Sequence, residues 1–252
     1  MNTSPQEFEY VNYLWDDKKA ASLNNDQVEL FLYRSNILGA DLRITNYGGG
    51  NTSCKTIEKD PLTNEDVEVM WVKGSGGDIG TLTRSGIAGL YTSRLRNLKN
   101  TYKGLHDEDR MVGLFNHCIY DLDSKAPSID TALHGLLPFA HIDHLHPDAL
   151  IAVAAAEDSE QVTKEIWGDK MGWVPWQRPG FDLGLQLEQC LADNPGIIGI
   201  VLGSHGLFTW GDTSLECYIN SLEVIETASA YIEGKISEKG SVFGGAKLES
   251  LA

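Results

Sequence analysis

The residues best suited to chemistry in this chain are histidines. His144 and His146 stand one residue apart in the run His141-Ile142-Asp143-His144-Leu145-His146-Pro147. On an extended strand, side chains two positions apart leave the same face, so both imidazoles can converge on one point. Imidazole is a borderline donor suited to zinc and related divalent ions. His134 and His141 lie in the same window and add to the case, although any one of the four could serve only structure. Pro147 stops ladder pairing, which puts the pair at a strand end, where sites commonly sit. An open catalytic centre generally takes three protein ligands and leaves a position for substrate. The apolar, β-branched run 197–202 reads as a buried strand bounded by Gly203, and it delivers Ser204-His205-Gly206 at its end. His205 is therefore the expected third ligand.

Beside these donors the sequence offers places for an anion. Gly48-Gly49-Gly50-Asn51-Thr52-Ser53 reads either as a loop of free backbone N–H groups and short hydroxyls that cradles an anion, or as a hairpin turn. The run Lys73-Gly74-Ser75-Gly76-Gly77-Asp78-Ile79-Gly80 follows a strand-like segment. A dinucleotide fingerprint would need its third glycine where Ile79 stands, and no βαβ unit with an acidic partner follows. The run reads better as a second phosphate-binding turn, with Lys73 at its head. Pro127-Ser128-Ile129-Asp130 reads as a helix start. Ser128 is a possible cap, and Asp130 in the first turn is favoured by the helix dipole. Asp130 is alternatively the carboxylate of the metal site, as ligand or general base. Together the loops and histidines describe a phosphorylated substrate held next to a metal.

These residues need elements to hold them. A helical lead-in is expected up to about residue 20, then a helix capped by Asn24-Asn25-Asp26 and stopped near Gly39. Strands are expected at 42–47 and 67–72, and helices at 87–98, 108–118, 160–167 and 181–191. The run 149–156 reads as a buried strand or a helix start. An aromatic, proline-bounded loop is expected at 172–180, and an antiparallel return strand at 207–211. A last helix is expected over 213–232, with an irregular tail from 235 onward.

Composition sets limits. The chain has 252 residues and no low-complexity linker or internal repeat, so one domain over 1–252 is expected, with 1–20 as lead-in and 236–252 as tail. The formal charge of −16 argues against a nucleic-acid partner but leaves room for a small anionic substrate, which is bound locally. Four scattered cysteines without a CxxC pair fit a reducing compartment. The first residues carry no basic or apolar signal segment, and no apolar run would span a bilayer. The expectation is a cytoplasmic protein with no membrane partner.

Taken in order, Gly50-Asn51-Thr52-Ser53, Lys73-Gly74-Ser75-Gly76, Pro127-Ser128-Ile129-Asp130, His144-Leu145-His146 and Ser204-His205-Gly206-Leu207 make the chain resemble the class II aldolase/adducin family over about residues 25 to 235. Details such as Trp71-Val72-Lys73-Gly74-Ser75-Gly76-Gly77-Asp78 and Val174-Pro175-Trp176-Gln177-Arg178-Pro179-Gly180-Phe181 look most like the aldolase half of bifunctional rhamnulose-1-phosphate aldolase/short-chain dehydrogenase proteins. In those proteins a dehydrogenase half follows, and these 252 residues do not include it.

The resemblance implies a three-layer α/β/α fold with a mostly antiparallel central sheet. It implies a cyclic homotetramer with sites between subunits. Zinc or another divalent ion would sit on His144, His146 and His205, and a substrate phosphate on Asn51, Ser75, Gly76 and Ser128. Where family aldolases carry a glutamate as acid/base, this chain has Asp130, as the similar ribulose-5-phosphate 4-epimerases do. A family aromatic that reaches in from the neighbouring subunit matches Trp176. The activity implied is cleavage of a ketose 1-phosphate, most closely rhamnulose 1-phosphate, to dihydroxyacetone phosphate and lactaldehyde. An epimerase, a decarboxylase and a non-catalytic adducin-like module are the alternatives.

Overall fold

The computed structural model describes residues 7–45 and 49–239. Its frame is one seven-stranded sheet in the order β3-β2-β1-β4-β7-β6-β5. The strands are β1 (Asn51–Lys59), β2 (Asp66–Lys73), β3 (Ile87–Tyr91), β4 (His141–Leu145), β5 (Met171–Val174), β6 (Gly199–Leu202) and β7 (Gly206–Gly211). Every neighbouring pair is antiparallel except β5 with β6. The expected mostly antiparallel sheet is thus found. Among the described residues nine α-helices accompany it: α1 (Asp17–Ala21), α2 (Gln27–Gly39), α3 (Thr92–Asn97), α4 (Glu108–Leu114), α5 (Thr131–Leu136), α6 (Asp148–Ala154), α7 (Ser159–Trp167), α8 (Phe181–Asp193) and α9 (Ser214–Lys239).

Side-chain alternation divides the core into two layers. On β4 and β7, Leu145 and Leu207 pack with Tyr218, Leu222 and Ile225 of α9 and with Leu38 of α2. Ile142, Phe208 and Trp210 instead join Leu133 of α5 and Leu183 and Leu187 of α8. Each apolar side chain taken out of water in this way contributes roughly 1.5–3 kcal/mol. Both faces of the sheet are covered, which is why its central strands carry no exposed row.

Several elements differ from the sequence expectation. The lead-in is irregular over 8–16 and helical only in α1. Its backbone donors are satisfied by distant side chains: the N–H groups of Glu9, Tyr10 and Val11 donate to the Glu226 carboxylate, that of Asn12 to Asp41, and that of Leu14 to the Tyr218 hydroxyl. No strand forms at 42–45. There the chain turns, because Asp41 accepts from the Arg43 N–H and Ile44 bonds back to the Asp41 carbonyl; Asn46 and Tyr47 lie outside the described residues. The expected helix at 87–98 begins as β3. Its five residues are all buried and pair with β2 from Ile87↔Lys73 to Tyr91↔Val69, so no alternation marks it as a strand. Residues 172–174 of the expected aromatic loop belong to β5, and α9 runs on to Lys239, into the expected tail. The run 149–156 resolves as α6, which begins just after Pro147.

Candidate metal centre

The ends of the central strands gather the candidate residues on one side of the sheet. Antiparallel pairing brings the end of β2, the start of β1, the end of β4 and the β6–β7 turn to the same side. On that side Asn51 of β1 lies directly opposite His144 of β4, and His144 lies opposite Phe208 of β7. Directly opposed residues share a face, so the amide and the imidazole sit side by side.

His144, His146 and His205 meet there, with one ligand atom from each within 4.8 Å of the others. The Nε2 atoms of His144 and His146 are 3.0 Å apart. The His205 ring lies 4.9 Å from that of His144 and 5.2 Å from that of His146, centroid to centroid. The turn carrying His205 needs an unusual backbone. Ser204 takes φ +54, a left-handed conformation costly for a residue with a Cβ, and the His205 N–H bonds back to the Leu202 carbonyl. Gly206 closes the turn opposite Leu202, and a Cβ there would lie 2.7 Å from His146 Cδ2.

The donor chemistry fits a divalent cation. His144 Nδ1 lies 2.9 Å from the Leu207 carbonyl oxygen. A carbonyl only accepts, so Nδ1 carries the proton and Nε2 keeps its lone pair for the centre. Phe208 stacks on the same ring at 4.4 Å and 13° and fixes its plane. Burial, with the neighbouring imidazoles, pushes the His144 pKa far below its usual value. Burial brings His146 down to about 4 and lowers His205 also. Three imidazoles held neutral are the form that binds metal.

The remaining candidates connect to this cluster through Asn51, which pairs with His144. Asn51 Nδ2 donates to Ser128 Oγ at 2.8 Å, and the same amide favours the ionised form of the Asp130 carboxyl. Ser128 does not cap a helix: α5 starts at Thr131, and Asp130 at the cap position makes no capping bond. Both side chains are therefore free of the structural task the sequence suggested. Asp130 is half-buried. Burial raises its pKa, against the Asn51 amide and the Lys73 charge, which favour ionisation. Lys73 is buried at the end of β2, with Asp130 and Asp78 as its charge partners; burial lowers its pKa. The Ser75 N–H donates to the Ala126 carbonyl, which ties the Gly74–Gly77 turn to the segment carrying Ser128. Ser75 and Gly76 themselves are exposed. At its other end α5 is braced by buried Lys55, whose Nζ donates to the carbonyls of His134, Leu137 and Phe139.

The other two histidines of the window are not part of the cluster. His141 Nδ1 is 2.8 Å from Arg34 Nη1, and His134 Nδ1 is 2.8 Å from Ser53 Oγ. Sequence reasoning missed Arg34, Asp143 and the Leu207 carbonyl. A lone arginine in a helical pattern and a backbone oxygen leave no motif, whereas Asp143 between the histidines was in plain view.

The comparisons agree with this architecture. The pattern of the Class II Aldolase and Adducin N-terminal domain matches residues 32–232, and the chain belongs to that family. The family is divalent-metal dependent. A curated relative, the uncharacterized oxidoreductase YuxG of Bacillus subtilis (strain 168), is 40% identical over 241 residues, which are 96% of this chain and 34% of the relative. The chain thus spans about a third of that relative's length. The structure of the N-terminal class II aldolase domain of a conserved protein from Thermoplasma acidophilum is 30% identical, with a TM-score of 0.75 over 82% of this chain and 94% of that one. L-fuculose-1-phosphate aldolase from Thermus thermophilus shares the fold, at 14% identity and a TM-score of 0.56 over 85% and 97% of the two chains.

Proposed function

We propose that this domain is a metal-dependent aldolase that cleaves a ketose 1-phosphate, with rhamnulose 1-phosphate the substrate tested first, to dihydroxyacetone phosphate and lactaldehyde. The observation that carries the reading is the convergence of three neutral imidazoles on a strand end where Asn51, opposite His144, also meets Ser128. His144, His146 and His205 would hold a divalent cation, zinc by the preference of an all-imidazole donor set. Such an ion, when bound, supplies Lewis-acid stabilisation of the charge that develops on substrate oxygen during carbon–carbon cleavage. Asp130 moves the proton that completes the triose phosphate, and its raised pKa suits that exchange. Asn51 orients Asp130 and, with Ser128, Ser75 and Gly76, provides the donors for the phosphate; Lys73 adds positive charge at their back.

The site lies at the ends of the central strands, and Trp176, 64% exposed, stands on the loop after β5. Assembly as a homotetramer in the cytoplasm, with this aromatic reaching a neighbouring site, belongs to the same reading. The match to only 34% of a relative named as an oxidoreductase supports the view that such a domain works alongside a redox partner. The aspartate at position 130 favours one second reading, a sugar-phosphate epimerase built on the same centre.

The test is a coupled assay for triose phosphate release from a panel of ketose 1-phosphates, with and without chelator. Release that needs the metal and is strongest with rhamnulose 1-phosphate is expected. An epimeric sugar phosphate as sole product would select the epimerase, and cleavage by metal-free protein would overturn both.

A further inference from the structure

Behind His144, on the opposite face of β4, lies a buried ion pair that the proposed reaction does not use. Arg34 of α2 and Asp143 of β4 meet at 2.9 Å, and both side chains are completely buried. The guanidinium spends its other donors locally. Nη1 reaches His141 Nδ1 at 2.8 Å and Ser214 Oγ at 3.1 Å, and Nη2 donates to the Ser53 carbonyl at 2.8 Å. Asp143 Oδ2 in turn accepts from Ser221 Oγ at 3.0 Å and from Cys217 Sγ at 3.2 Å, and Ser221 Oγ lies 2.6 Å from Thr209 Oγ1. One cluster thus joins α2, β1, β4, β7 and α9.

A pair of this kind is a poor source of stability, because desolvating two ions costs about as much as their attraction returns. Apolar residues of similar volume often do as well. What the cluster does supply is position. Arg34 grips β4 at residues 141 and 143 on one face, and residues 144 and 146 carry the imidazoles on the other. The same guanidinium holds the Ser53 carbonyl of β1, two residues from Asn51. Any slide or roll of β4 that would take His144 from the Leu207 carbonyl must also break these bonds.

We propose that the Arg34–Asp143 pair is a positioning device for the three-histidine centre, holding β4 so that His144 and His146 keep a geometry that binds metal. This rests on the reading of the histidine cluster as a metal site. It adds that the ligand geometry is set from the far side of the sheet, through the strand.

The experiment is a Co²⁺ titration of the whole chain, followed by visible absorption and by Zn²⁺ competition, alongside thermal melts of the metal-free forms. The double variant Arg34→Met/Asp143→Leu removes both charges together and so leaves no unpaired buried ion; it should fold. Its Co²⁺ affinity should fall about 10- to 100-fold, the range seen when residues supporting metal ligands are lost, with altered bands. Met111→Ala, in the core on α4 and away from β4, should lower the melting temperature and leave Co²⁺ binding unchanged. Arg34→Lys keeps the charge but cannot reach His141, Ser214 and Ser53 together, so it should fall between wild type and the double variant; it carries the test should the double variant not fold. Wild-type affinity and bands in the double variant, or in Arg34→Lys in that event, would overturn the positioning role while leaving the metal site standing. A wild-type protein that gives no Co²⁺ bands would overturn both.

Discussion

Gly206→Ala is the sharpest perturbation the structure offers, because its effect can be read from distances. The added Cβ would stand 2.7 Å from His146 Cδ2 and 2.7 Å from the Leu145 carbonyl oxygen, where ordinary contact begins at 3.4 Å. The backbone oxygen is fixed by the β4–β7 ladder, in which Leu145 pairs with Leu207. The imidazole is the softer neighbour and must retreat by about 0.7 Å. Metal–ligand distances tolerate only about 0.2 Å, so the displacement is several times what coordination allows. Metal affinity should fall by at least the roughly 10- to 100-fold seen when supporting residues are removed. Overpacking costs about 1–3 kcal/mol, which in a chain of this size lowers Tm by roughly 2–12 °C. The assay pairs a calorimetric Zn²⁺ titration with a melt of metal-free protein. A variant that melts lower yet binds Zn²⁺ with wild-type affinity would refute the claim that Gly206 makes room for the His146 ring.

Three further outcomes follow from the same structure. Gly113→Ala, in α4 with open space around the new methyl, should raise stability by about 0.5–1 kcal/mol and leave metal binding untouched; a melt and a titration check it. Asp130→Asn should reduce kcat/KM strongly while the protein stays folded and metal-bound. Burial lifts the Asp130 pKa, so wild-type activity should be lost as pH falls through a value above the ordinary carboxylate range, and in the variant's pH–rate profile that acid limb should be gone. Glu226→Ala strips the carboxylate from three backbone N–H groups, at Glu9, Tyr10 and Val11; about 1–3 kcal/mol of destabilisation and faster proteolysis within residues 7–16 are expected, and an unchanged cleavage pattern would count against the tether.

How much of this was legible beforehand divides along a physical line. Period-2 alternation and glycine punctuation were enough for β2, β6 and β7, and an Asn-Asn-Asp cap was enough for α2, whose Asp26 side chain accepts from the Val28 and Glu29 N–H groups. The histidine cluster was legible for the same reason: His144 and His146 are a strand pair, and His205 follows a strand that could end in few places. Where local pattern misled, a tertiary partner had overruled it. Residues 87–91 look helical by spacing because burial on both faces erases alternation. Residues 8–16 look helical by composition, yet their N–H groups are taken up by Glu226, Asp41 and Tyr218, the farthest of them more than 200 positions away.

The site shows the same division more finely. Ser128 and Asp130 read naturally as helix-start residues, and that reading would have left them nothing else to do. The structure begins α5 only at Thr131, leaves Asp130 without a capping bond and joins the Ser128 hydroxyl to Asn51, 77 positions upstream. The local motif thus pointed to a cap, whereas the hydrogen bond at Ser128 comes from Asn51, which the β1–β4 register sets opposite His144. The converse holds for His141, a member of the richest histidine run in the chain. Its parity along β4 sends it to the α2 face, where it is a partner of Arg34 rather than of His144. One residue of strand register separates the two fates, since a shift of one position reverses every side chain between faces. The fixing of that register by buried contacts, rather than the presence of histidines, therefore decides which of them can share an ion.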